Sequence, residues 1–132
     1  MAKLSIGVIV SLSAEGIEKT AALGLRSCQV SSWDPDAWTD EAGENLVATA
    51  QKHGVKISTF WSGYSGPAKW NFTEGPSTIG LVPAQYRQQR TRELIRAAQF
   101  AAKFHLPQIA THVGFLPEDP KDAPTGSSSR RG

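Results

Sequence analysis

The string QIATHVGF, near the end of the chain, sets His112 at the tip of a short apolar run. An imidazole there can donate to a substrate hydroxyl, ligate a metal through a neutral nitrogen, or pass a proton. It can equally close a strand as a satisfied core group. Earlier, FWSGYSGPAKWNF places Trp61 directly after another apolar run, with Tyr64, Trp70 and Phe72 spread among Gly63, Gly66, Gly75 and Gly80. Aromatic rings beside hydroxyl groups can stack on a sugar ring, or they can pack a loop over the end of a sheet. Both roles stand for Trp61. Packing is the expected role for Trp70 and Phe72.

The other reactive side chains carry less. Asp34 and Asp36 lie in SSWDPD, a common turn-forming string, and Glu118 and Asp119 follow the His112 segment. Cys28 is the single cysteine. Its place inside an expected strand suits a buried inert thiol, and one cysteine permits no internal disulfide. His53 and His105 fall at expected helix ends, where a cationic ring complements the helix dipole, and no chemistry is assigned to them. No H-x-x-x-H or other His/Asp/Glu cluster has metal-ligand spacing. G-x-G-x-x-G, P-loop and G-x-S-x-G motifs are absent from the sequence. These residues alone name no catalytic group and no metal ligand.

The elements that must carry them follow one template. AALGLRSCQV, AQKHGVKISTF and AAKFHLPQIATH each read as a helix end, a stop and a strand, with Gly24, Gly54 and His105 as the stops. Leu25, Val55 and Leu106 follow the stops and can fold back on the helices. Strands are expected over residues 4–10, 27–30, 56–60 and 108–111. Helices are expected over about 14–23, 40–53 and 84–104, capped by Ser13 and Thr39 and opened by Pro83. In the third helix, Leu94, Ile95, Ala98, Ala101 and Ala102 form an expected apolar stripe, with Arg87, Arg90 and Arg96 on a solvated face. The loop of about residues 61–82 is long for a compact domain, as lids and binding loops are.

Alternating strands and helices imply an α/β fold with a parallel sheet. Either a small open doubly wound sheet or part of a (β/α)8 barrel fits. Ligands in both gather at the C-terminal ends of the strands, where His112, Trp61 and SSWDPD fall.

The chain has 132 residues, 39% hydrophobic and 20% charged, enough for one domain. A net charge of +2, without clustered Lys and Arg, argues against nucleic acid. No apolar run reaches the ~20 residues of a membrane span. No secretory signal opens the sequence, so the expected location is cytoplasmic.

The segments LSIGVIV, AALGLRSCQVSSW, AQKHGVKISTFWSG and YRQQRTRELIRAAQFAAKFHLPQIATHVGFLPED, in this order, resemble the sugar phosphate isomerase/epimerase family of the xylose isomerase-like TIM-barrel superfamily. The resemblance covers about residues 4–120, and THVGF after an Ala-rich helix is its best part. It implies four of the eight (β/α) units of a TIM barrel, a truncated barrel whose N-terminal half is residues 1–120. Residues 121–132 are expected to form a disordered tail. Family members move a proton beside a sugar carbonyl with a divalent metal, Mn or Mg, held mainly by strands five to eight. What carries over is a small-molecule sugar site, with His112 and Trp61 facing the substrate and Trp33 a weaker transfer.

Tight metal binding by this chain is not expected, since a hard cation wants several converging oxygens. Self-association through open sheet edges is expected, driven also by an apolar inner face. The competing readings are a non-catalytic small α/β binding domain, an inactive gene fragment, and an endonuclease-like member of the same superfamily.

Overall fold

In the computed structural model of the chain, residues 4–116 are described. The expected boundary at residue 120, the tail 121–132, Glu118 and Asp119 lie outside them. The elements run β1 (Val8–Ser11), α1 (Ala14–Ala22), β2 (Ser27–Ser32), a 3-10 turn (Pro35–Ala37), α2 (Asp40–His53) and β3 (Lys56–Ser62). A short helix α3 (Gly75–Thr78) follows in the long loop, then α4 (Ala84–Lys103) and β4 (Ile109–Ala110). Ser13 and Thr39 cap α1 and α2 as expected, accepting from the backbone N–H groups of Gly16 and Ala42 at 3.1 and 3.2 Å. Among the described residues no helix is long and apolar enough to cross a membrane.

The strands form one sheet in chain order β1-β2-β3-β4, and each neighbouring pair is parallel. Strand alternation sorts the side chains into two faces. In the row Val10–Val30–Phe60–Ile109, every member belongs to the core or packs against it, together with Ile17, Leu46, Ala97 and Phe100 of the helices. The helices therefore cover one face only. A doubly wound sheet would carry them on both faces and reverse its strand order. This is four units of a TIM barrel, an arc with the helices outside.

The uncovered face differs from the expected apolar one. Its rows are Ile9–Gln29–Thr59 and Ser11–Ser31–Trp61–Ala110. Gln108 donates to Thr59 across this face at 2.7 Å. Only Ile9 and Trp61 are large and apolar among these side chains, whereas closed barrels typically fill this space with Val, Ile and Leu.

The three helix-to-strand turns share one geometry. Gly24, Gly54 and His105 have φ of 72°, 62° and 55°. Each donates to the carbonyl three residues back, and the following Leu25, Val55 or Leu106 donates five residues back. That is the Schellman pair of bonds, closing each helix on its own carbonyls. His105 alone holds the left-handed conformation with a side chain among the described residues. His105→Gly is expected to raise stability by up to about 1 kcal/mol by removing that strain. A lower melting temperature would instead show the imidazole contributing more than the strain costs.

The stripe on α4 falls at a different phase from the expected one. Its buried residues are Arg90, Glu93, Ala97, Phe100 and Ala101, while Ile95 is half exposed. The rings of Phe100 and Phe104 set the phase, with Phe100 packed on Phe60 at 5.4 Å and on Phe104 at 4.9 Å. This rotation turns Arg90 inward. The expected solvated face holds for Arg87 and Arg96, which are exposed, and is corrected for Arg90. Arg90 is 1% exposed, Arg87 donates to the carbonyls of Leu81 and Val82, and Arg96 donates to that of Pro35.

Candidate functional site

Continuing the alternation past the strand ends puts Trp33, Trp61 and His112 on the uncovered face. Trp61 is in register with Ser31 and Ala110, and Trp33 and His112 each lie two residues beyond those partners. The rings meet as a ridge. Trp33 lies 4.7 Å from Trp61, 5.2 Å edge-on from Tyr64 and 6.3 Å edge-on from Trp70. Trp70 in turn stands edge-on to His112 at 4.9 Å. Gly63 makes room for this packing, since a Cβ there would come within 2.7 Å of the Trp33 ring.

Trp70 and Phe72 do not pack the loop shut as expected. Trp70 is 59% exposed and Phe72 91%. The physical reason is that another group holds the loop, so these rings are left at its rim. Trp70, Phe72, Ile79, His112 and Phe115 line a recess of about 230 Å³ beside the ridge.

His112 has a defined role available to it. Its Nδ1 accepts from the backbone N–H of Gly114 at 3.1 Å. An imidazole that accepts at Nδ1 carries its proton on Nε2 when neutral. The other polar edge of the ring, which has no partner among the described residues, is therefore a hydrogen-bond donor, suited to a hydroxyl or carbonyl oxygen.

The group that holds the loop is Arg90. Its guanidinium donates to the carbonyls of Ser65, Pro67, Thr78 and Gly80 at 3.1, 2.9, 2.7 and 2.7 Å. It also lies over the rings of Tyr64 and Tyr86, at 4.2 and 4.4 Å from their centroids. Burial pulls its proton affinity below the ordinary arginine value, and the Tyr64, Tyr86 and Glu93 side chains oppose that pull. Glu93, on the same face of α4, accepts from the Ser65 N–H at 2.9 Å. The Tyr64 hydroxyl accepts from Gly80 at 2.8 Å, and burial pushes its pKa up. The sequence places Arg90 on a solvated face and leaves Glu93 without a role. Phasing the helix on Phe100 and Phe104 would have exposed them.

The remaining candidates stand apart. Asp34 turns its carboxylate to the Asp36 N–H at 2.9 Å, and Asp36 is an exposed partner of Arg96 at 3.9 Å. Cys28 is buried, and that burial pushes its thiol pKa up, away from the reactive range. No three His, Cys, Asp or Glu side chains converge among the described residues. The described side chains therefore offer a divalent cation no set of converging donors.

No protein-family model matches the sequence. Solved structures share the fold, among them the following two. A xylose isomerase domain protein from Planctomyces limnophilus superposes with a TM-score of 0.80 at 27% identity, over 89% of this chain and 43% of that one. D-psicose 3-epimerase, determined in the presence of D-fructose, superposes with a TM-score of 0.57 at 20% identity, over 88% of this chain and 40% of that one. The chain thus spans about two fifths of the length of each of these two structures. With its sequential parallel strands and one-sided helices, it carries the fold of the N-terminal half of a xylose isomerase-like TIM barrel.

Proposed function

We propose that this chain supplies the sugar-binding half of an isomerase- or epimerase-type site. Trp33 and Trp61 would stack on the apolar face of a ketose or ketose phosphate, and the Nε2–H of His112 would donate to one of its oxygens. The observation that carries the reading is the convergence of these three side chains at the C-terminal rim of a half-barrel. The likeness to a xylose isomerase domain protein supports it.

Interconverting ketoses or epimers requires an acid and a base beside the carbonyl. No carboxylate belongs to the Trp33–Trp61–Tyr64–Trp70–His112 group among the described residues. The chain's own part is to bind and orient. The proton-moving groups and the divalent cation of such an enzyme would come with the remaining strands.

Tryptophan emission of the whole chain, titrated with D-fructose and D-fructose 6-phosphate, tests this. Saturable quenching in the millimolar range is expected, weakened at least tenfold by Trp61→Ala, which removes a stacking ring, and by His112→Phe, which removes the donor. Quenching that is linear in sugar, or indifferent to both substitutions, would overturn the reading. Comparing the two ligands shows whether a phosphate adds affinity.

A further inference from the structure

Both edges of the sheet present backbone groups that the described residues do not pair. In a parallel ladder the N–H and C=O of one residue point to the same side, and successive residues alternate. The Leu12 N–H donates to Ser31 on β2 at 3.0 Å. Leu12 and Val10 therefore face β2, and Ile9 and Ser11 face outward. At the other edge the Gln108 carbonyl accepts from Phe60 on β3 at 3.0 Å. Gln108 and Ala110 therefore face β3, and Ile109 and Thr111 face outward.

Large apolar side chains are exposed along the same two margins. Leu4, Ile6 and Ile9, the last 66% exposed, lie before and within β1, and Val113 and Leu116 follow β4. The uncovered face between these margins is mostly Ser, Thr and Gln. Face-to-face stacking of two sheets would bury those polar groups in a dry interface, at a cost. Pairing edge to edge would bury the apolar margins and leave the polar face lining the inside of a ring.

We infer that two copies of this chain close on each other about a two-fold axis, β1 of one pairing in parallel with β4 of the other. Rotation about the barrel axis keeps all strands parallel, and four strands from each copy make the eight that close a barrel. Closure removes both edges and is self-limiting. It also brings a second copy of the Trp33–Trp61–His112 ridge to the same rim.

Light scattering after size exclusion, on the whole reduced chain at about 100 μM, is expected to give twice the monomer mass. Ile9→Pro deletes an outward N–H while leaving the β1–β2 ladder its donors, and is expected to give a folded monomer. Ile9→Thr, which keeps the N–H, is expected to remain a dimer, weakened by lost apolar burial. Amide exchange of the unsubstituted chain gives an independent reading if Ile9→Pro fails to fold. The outward amides of Ile9, Ser11, Ile109 and Thr111 are expected to exchange slowly. A monodisperse monomer, an open-ended series of oligomers, a folded Ile9→Pro dimer, or fast exchange at these four amides would each overturn closure by a second copy.

Discussion

Arg90→Ala is expected to lower folding stability by about 3–5 kcal/mol, the scale of removing one partner from a buried charged network. Four backbone carbonyls lose a charged donor, and each such bond is worth about 1.5–3 kcal/mol before water enters to replace part of it. The stacking of the guanidinium over Tyr64 and Tyr86 adds about 1–2 kcal/mol to the loss. Arg90→Lys keeps the charge but places a single ammonium where a planar fork reaches carbonyls from Ser65 to Gly80. It is expected to recover less than half of the loss. Urea denaturation followed by tryptophan emission checks both, since Trp33, Trp61 and Trp70 all lie on the segments that would move. A cost below about 1 kcal/mol for alanine, in the range of an ordinary surface substitution, would mean the loop is held by its aromatic contacts instead.

Gly80→Ala is expected to cost about 2–4 kcal/mol, combining left-handed strain with overpacking. Gly80 has φ of 78°, and a Cβ there would collide with the backbone of Val113 and Gly114. Backbone cannot step aside as a side-chain tip can. Gly24→Ala is the matched control, with φ of 72° and no neighbour within 4 Å. It is expected to cost only about 1 kcal/mol, from strain alone. The difference between the two melts measures the close approach of the loop to the His112 segment. Leu81 and Val82 both donate to the Val113 carbonyl, at 2.6 and 3.2 Å, so faster exchange of these amides should accompany the Gly80 change. Equal costs for the two alanines would show that the loop yields without strain at this contact.

Much of the scaffold was legible because its signals are local. Ser13, Thr39, Gly24, Gly54 and His105 each mark a boundary through their own backbone and the next few residues. Two expectations failed where distant contacts decide. The phase of α4 depends on Phe100 meeting Phe60, and those residues are 40 positions apart. The first strand begins at Val8 rather than residue 4, its pairing with β2 starting at Val8 and Cys28. At the rim, Trp33, Trp61 and His112 could be placed by strand alternation. The loop that frames them could not, since Arg90 acts through carbonyls, which every residue possesses.

That last property bears on how the rim can change. A guanidinium bonded to main-chain oxygens is indifferent to the side chains those residues carry. Ser65 and Pro67 can be exchanged for others that keep the local backbone, and Arg90 would still find its acceptors. The side chains of Lys69, Trp70 and Phe72 lie between the anchored points, and only the Lys69 main chain is tied, through its N–H to the Thr78 hydroxyl at 3.1 Å. The loop is thus a cassette, fixed at its hinges by Arg90 with Glu93 and Arg87 of the same helix and open to substitution along its crest. Libraries randomised at Lys69, Trp70 and Phe72 would alter what meets a ligand while drawing little on the stability of the fold.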